Sequence, residues 1–443
     1  MKFPGDFFLG KRFFYSLGIL AGLFIFGFFY PAIFAASRLL FFSFIVLVLL
    51  DFILLFQQRE GINARRFVPE KLSNGYDNAI TIEINNNYGL SVQGCIIDEI
   101  PVVFQKRDFN LSFSLKARQT KKIIYLLRPV KRGTYIFGFL NIFLTTRLAL
   151  VTRRFRFGEP AFAAVYPSII QMQAYELFAI SNRLEEAGIK KIRKIGHTME
   201  FDQIRSYVKG DDYRTINWKA TARRHSVMVN QYQEEKSQQV FSVIDMGRSM
   251  KMPFAGLSLL DYAINASLVI SNIAIRKHDK AGLITFSENI GTVLQADGHY
   301  SHMHRILEML YKQETSFLEP DFEKMYTTIS RYIKQRSLIL LFTNFESLSA
   351  LQRQLNMLKH INKNHALVVI FFENNELTDF YSQDAENTEA IYKKVIAGKL
   401  IFEKKQITKE LQLAGIQSIL VQPQDLTIAV INKYLEIKAR ALI

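Results

Sequence analysis

The stretch Glu200 to Arg224 reads EFDQIRSYVKGDDYRTINWKATARR, and four carboxylates, four arginines and the chain's one tryptophan share it. Carboxylates at this density are raw material for a divalent-metal site. Asp211 and Asp212, joined by Asp245 further along, would make a metal-dependent hydrolase if the three converged on a water-activating ion. The arginines argue the other way, because Arg205, Arg214, Arg223 and Arg224 compete for Glu200, Asp202, Asp211 and Asp212 and each pairing favours a bidentate clamp over an open ligand. The segment also lacks a histidine at ligand spacing. In the clamp reading Gly210 allows a tight turn, and Asp211 or Asp212 accepts from the next amides to start a short helix, Tyr213 to Ala220. Trp218 then packs beneath as the apolar anchor, holding the segment against the domain that follows. A third chemistry is phosphate or RNA binding, with Tyr207, Tyr213 and Trp218 as stacking platforms; the interspersed acids lower the local charge and count against it.

A second candidate lies just downstream, where QVFSVID ends in Asp245-Met246-Gly247-Arg248-Ser249. A carboxylate and a nearby hydroxyl at a strand end suit the oxygen-only coordination of Mg²⁺, although Asp and Ser equally cap helices. His299, His302 and His304, in HYSHMH, form the one histidine cluster, placed at a loop-to-helix junction and read as a solvated helix start more readily than a metal site. His197, His225 and His365 are scattered and read as structural or surface residues. Cys95 is the single cysteine, so no disulfide forms within the chain, and it reads as a small buried hydrophobe.

The elements that must position these groups change character along the 443 residues. Phe13 to Ala36 is uncharged, and Leu39 to Phe56 carries only Asp51, so each run approaches the ~20 apolar residues that span a bilayer. A hairpin of two transmembrane helices over residues 1–60 is expected. Lys2, Lys11 and Arg12 before it and Arg59, Arg65 and Arg66 after it place both ends, and the remainder of the chain, in the cytoplasm by positive-inside bias. Asp51 is costly inside a span; it is either a proton-linked residue or bonds Tyr15 or Ser16 of the neighbouring helix near the cytoplasmic end. The net charge of +16, from 56 Lys+Arg against 40 Asp+Glu, points to anionic partners, and for an anchored chain the membrane surface is the simplest; nucleic acid is not expected.

Residues 61–166 alternate apolar and polar in short runs such as AITIEI and KKIIYLL, broken at NNNYG and VKRG, which predicts an Ig-like antiparallel β-sandwich. Residues 167–238 hold the stretch Glu200 to Arg224. From 239 to 443, apolar strands QVFSVID, AGLITFS, SLILLFTNF, HALVVIFFEN and QSILVQP alternate with helices, which predicts a doubly wound α/β sheet with its site at the C-terminal strand ends. The lysine-bearing helix Thr388 to Leu413 reads as a solvated face, and Asp425 to Ile443 as a closing amphipathic helix.

These residues carry a family resemblance. Glu200-Phe201, Arg205-x-Tyr207, Gly210-Asp211-Asp212-x-Arg214-x-Ile216-x-Trp218-Lys219 and Ala222-Arg223, then Gln231-Tyr232 and Glu234, resemble the bacterial "domain of unknown function 58" family. The likeness is read over nearly the whole chain, through Asp245-x-Gly247-Arg248-Ser249-Met250 to the ending Pro423 to Leu442. It implies a C-terminal von Willebrand factor A-like domain and a MoxR-type AAA+ ATPase partner, hence an adaptor in assembly or maturation of envelope proteins rather than an enzyme. The metal site of such A-domains uses Asp-x-Ser-x-Ser, a later Thr and a further Asp. Here Asp245 and Ser249 match, Gly247 replaces the first Ser, Asn344 stands where an Asp is expected, and Thr315 is a candidate for the middle threonine. The resemblance therefore implies a degenerate site at Asp245, Ser249 and Asn344, with weak Mg²⁺ binding at most, and a signature of Glu200, Arg205, Tyr207, Gly210, Asp211, Asp212, Arg214, Trp218, Lys219 and Arg223 that holds or extends a docking edge.

Overall fold

The computed structural model describes residues 6–104, 109–158, 160–180, 200–233, 237–384 and 387–440. The chain divides into two compact units, Met1–Tyr166 and Pro167–Ile443.

The first unit opens with strand β1 (Phe7–Leu9) and helices α1 (Lys11–Gly27) and α2 (Pro31–Phe56). The two helices lie side by side, with Phe13 against Phe44 and Phe24 against Phe34 at ring separations of 5.4 and 5.9 Å. The turn falls at Phe28–Tyr30, earlier than expected, because Pro31 is pre-set for the first position of a helix and claims Pro31–Ala36 for α2. Of the two expected spans, one is a helix long and apolar enough to cross a membrane. α2 has 26 residues and a mean hydropathy of 3.0, whereas α1 has 17 and begins with Lys11 and Arg12. At ~1.5 Å per residue α1 reaches about 26 Å, short of the ~30 Å hydrocarbon core.

Asp51 is fully buried one and a half turns from the end of α2. Its carboxylate accepts from the Thr146 hydroxyl and from the Leu150 and Val151 amides at 3.0 and 2.9 Å, so its partners come from the β structure and not from Tyr15 or Ser16. Tyr88 and Arg153 donate to the Leu55 carbonyl, both at 2.6 Å. That satisfies acceptors which a helix C-terminus leaves open.

Ten further strands complete this unit: β2 (Ile62–Phe67), β3 (Lys71–Ser73), β4 (Asn78–Asn86), β5 (Val92–Asp98), β6 (Leu111–Leu115), β7 (Thr120–Leu127), β8 (Gly133–Phe137), β9 (Leu140–Thr145), β10 (Val151–Phe157) and β11 (Ala161–Tyr166). They form sheets ordered β1-β10-β9-β5-β6, β2-β4-β7 and β3-β11-β8. Period-two alternation buries Ile80, Ile82 and Ile84 on one face of β4. These residues meet Ile96, Phe137, Ile142 and Val165 in a single apolar core. Cys95 on β5 is only partly buried, because Gly94 and Cys95 lie where β5 is paired on both sides yet half covered.

The second unit begins with α3 (Ile169–Ile180), followed by a two-stranded ribbon of β12 (Glu200–Ser206) and β13 (Met228–Gln233) that encloses α4 (Trp218–Arg224). A six-stranded sheet then forms from β14 (Gln239–Asp245), β17 (Lys280–Phe286), β18 (Ile290–Asp297), β19 (Leu338–Phe342), β20 (Ala366–Phe372) and β21 (Gln417–Val421), with the small hairpin β15 (Pro253–Phe254) and β16 (Leu257–Ser258) beside β14 in sequence. The order is β18-β17-β14-β19-β20-β21, parallel except for β18. Helices α5 (Leu259–Arg276), α6 (Tyr300–Tyr311), α7 (Phe322–Tyr332), α8 (Leu348–Asn364), α9 (Asn375–Ser382), α10 (Thr388–Leu413) and α11 (Leu426–Ala439) complete it. The inner strands β14, β17, β19 and β20 are buried along nearly their whole length, as continuous apolar runs covered on both faces must be, while the edge strands β18 and β21 are partly exposed. One face packs on Met325, Leu358 and Ile407 of α7, α8 and α10. The topology is doubly wound, and strand order reverses at β14, where the chain passes first to β17 and later to β19. A crevice is expected at the C-terminal end of β14.

Candidate functional site

Asp245, the last residue of β14, is fully buried at that switch point. One carboxylate oxygen accepts from the Gly247 amide at 2.7 Å and the other from the Thr343 hydroxyl at 2.7 Å. Burial pushes its pKa up to about 6, partly opposed by these two bonds. A Cβ on Gly247 would come within 2.7 Å of Pro320 Cδ and 2.9 Å of Asp245 Oδ1, so the position has no room for the serine of a complete A-domain motif. The chain from Gln313 to Pro320 crosses this end of β14, with the Ser316 amide on the Met246 carbonyl at 2.8 Å and the Arg248 amide on the Leu318 carbonyl at 3.1 Å. Thr315 lies in this crossing and Thr343 is the threonine that bonds Asp245.

Asp245, Ser249, Thr343 and Asn344 line one cleft of about 90 Å³, bordered by Arg248, Glu319 and Arg353. The Asn344 amide nitrogen contacts the Ser249 carbonyl at 3.5 Å. Its oxygen accepts from Lys404 Nζ at 2.6 Å, and the same ammonium donates to the Phe345 carbonyl at 2.7 Å. These residues do not fit a resident divalent cation. Both Asp245 oxygens already accept hydrogen bonds, the Asn344 oxygen faces an ammonium, and burial penalises the charged form of Asp245. Lys404 was not visible as part of this edge from sequence: it sits mid-way along α10 among other lysines, 60 positions from Asn344, and no local spacing marks it out.

The signature segment takes a different form from the expected clamp. Arg205 and Asp211 form a bidentate pair at 2.8 and 2.7 Å, and Asp211 also accepts from the Val208 amide at 2.8 Å. Both effects hold the Asp211 carboxyl below the usual range. Gly210, at φ +115°, supplies the turn. Asp212 accepts from the Arg214 amide at 2.9 Å and so caps a 3₁₀ turn, Tyr213–Thr215. The expected helix Tyr213 to Ala220 breaks at Ile216, and α4 starts afresh behind Asn217, whose side chain accepts from the Ala220 amide at 3.0 Å. Asn217 fits N-cap chemistry and was the missed signal.

Trp218 is 72% exposed and Tyr213 70%, which corrects the reading of Trp218 as a buried anchor. Tyr207, Lys209, Arg214, Lys219, Arg223 and Arg224 are exposed around them, with Arg214 over the Tyr213 ring at 5.7 Å. Glu200 is placed by its backbone at the start of β12, opposite Gln233, while Glu234 and His197 lie outside the described residues. Among the described residues no group of three or more His, Cys, Asp or Glu side chains lies close enough to hold a metal, so Asp211, Asp212 and Asp245 do not converge. The histidine cluster also separates: His299 bonds Asp297 at 2.7 Å, while His302 is buried and His304 exposed.

A doubly wound α/β unit, its switch-point cleft and an exposed aromatic, basic ribbon define the C-terminal part of the chain. Residues 203–391 match the family described as "Protein of unknown function DUF58", a narrower extent than the nearly whole-chain resemblance read from the sequence. The uncharacterized protein YeaD of Bacillus subtilis (strain 168) is 23% identical over 198 residues, covering 44% of this chain and 47% of YeaD. The match thus spans about half the length of that relative. The conserved hypothetical protein BatB of Bacteroides thetaiotaomicron aligns with 46% of this chain and all of its own, at 16% identity and a TM-score of 0.30. The CARDB domain of the Pyrococcus furiosus protein PF1109 aligns with 24% of this chain and 94% of its own, at 12% identity and a TM-score of 0.17. Scores this low fix neither fold nor function.

Proposed function

We propose that this protein is a membrane-anchored adaptor whose C-terminal unit, a von Willebrand factor A-like domain, docks a partner protein. The observation that carries the reading is the ribbon around Gly210. Trp218, Tyr213 and Val208 stand in solvent among Lys209, Arg214, Lys219, Arg223 and Arg224. Trp, Tyr and Arg dominate binding hot spots, and large apolar groups left in water gain most when a partner covers them. The five cations complement an acidic protein surface. With the resemblance, this favours a MoxR-type AAA+ ATPase as partner and a role in assembly or maturation of envelope proteins. With the resemblance, α2 and the basic residues Arg59, Arg65 and Arg66 after it favour a bacterial inner-membrane anchor with the remainder of the chain on the cytoplasmic side.

Placing a photo-crosslinking amino acid at position 218 or 249 of the full chain in its native membrane tests this. An AAA+ ATPase captured from position 218 supports the ribbon as its dock. Failure to capture one from either position removes that partner, and hydrolytic turnover by the purified chain that is lost with Asp245→Ala would overturn the non-enzymatic reading.

A further inference from the structure

Next to the switch-point cleft is a second cavity of about 160 Å³ with mainly apolar walls, among them Phe254, Leu259, Phe372, Leu377, Leu400 and Ile401. Lys404, Asn344, Glu346, Glu373 and Asn374 also border it. Two of the three Lys404 N–H groups are committed to Asn344 Oδ1 and the Phe345 carbonyl. Among the described residues no carboxylate lies within ion-pair distance of this ammonium. Glu346 is more than half exposed, facing Arg248 at 3.5 Å. A cation held among apolar side chains without a counter-charge is costly. Burial accordingly pushes the Lys404 pKa down to about 8, with Glu346 opposing.

We propose that this cavity binds a carboxylate carried on a small apolar group, with Lys404 as its counter-ion. The third N–H of Lys404 and its unbalanced charge ask for an anionic oxygen, and the walls ask for a hydrocarbon. The volume is close to that of an apolar cavity of ~150 Å³ which accepts a benzene ring. Glu346 and Glu373 at the border select a monoanion over a dianion by like-charge repulsion. A free branched-chain acid and the terminal carboxylate of a leucine-ending partner share this chemistry. The site is separate from the ribbon, and its test does not depend on a docked protein.

The experiment is calorimetric titration of 4-methylpentanoate into the full chain in nanodiscs at pH 7, beside N-acetyl-leucine as the peptide-end arm and 4-methylpentanamide as the uncharged control. One saturable site is expected, at least tenfold weaker for the amide and at least tenfold weaker in Lys404→Met. Above pH 8 the affinity should fall about tenfold per pH unit as the ammonium deprotonates. Binding of the free acid alone supports a small-molecule ligand, and binding of N-acetyl-leucine as well supports a partner's C-terminus. Should Lys404→Met fail to fold, Leu377→Trp, which fills the cavity and spares the ammonium, must abolish binding. No saturable binding in either arm, equal binding of the amide, or an affinity indifferent to pH would overturn the proposal.

Discussion

Asp245 and Trp218 show how burial decides what a residue type does. Asp245 is sealed at the switch point with its pKa raised to about 6, so its ionised form is a burden on the folded state that is absent below pH 4 and complete above pH 6. The shift of roughly two units corresponds to about 3 kcal/mol at most. Asp245→Asn keeps an acceptor for the Gly247 amide and is expected to raise the melting temperature at pH 7.5 while leaving it nearly unchanged at pH 4, as scanning calorimetry would show; an equal shift at both values would sink the burial account. Trp218→Ala removes a side chain that touches mostly solvent. Its melting temperature should stay within experimental error of the native value while crosslinking to the partner declines, the reverse of what a core tryptophan would give.

At the scale of elements, α2 and the ribbon both depend on side-chain oxygens placed against backbone amides. Asp51→Ala would leave the Leu150 and Val151 amides and the Thr146 hydroxyl proton without that acceptor in a buried place. At about 1–3 kcal/mol for an unsatisfied group, a loss on the order of 3 kcal/mol is expected in denaturant titration of the detergent-solubilised chain, and Asp51→Asn should recover part of it. In the ribbon, Gly210 sits at φ +115°, where any Cβ is strained. Gly210→Ala should speed hydrogen exchange of the Val208 and Asp211 amides without altering exchange in β14, and unchanged exchange at Val208 would show that the turn tolerates a side chain.

For the whole molecule, the first unit includes the apolar helix α2 in its own fold. Leu55 of α2 is fully buried in the β core, and Arg153 and Tyr88 close the end of that helix, so a chain cut to begin at residue 57 should melt well below the intact one. Chemical character along the chain is what the sequence settled by itself: an apolar N-terminal stretch, period-two strands, and unbroken apolar runs separated by amphipathic helices are local properties of residue order, whereas the break between α1 and α2 was misplaced. A cleft at the end of β14 was likewise legible, because alternation of strand and helix implies a doubly wound sheet with a switch point. Contacts between distant positions were not. Lys404 reaching Asn344, Thr146 reaching Asp51, Thr343 reaching Asp245, and Trp218 facing solvent depend on which surfaces meet when the strands order themselves β18-β17-β14-β19-β20-β21. Residue spacing carries no trace of that, since burial and partner choice are fixed only when the packed chain excludes water from some side chains and leaves others in it.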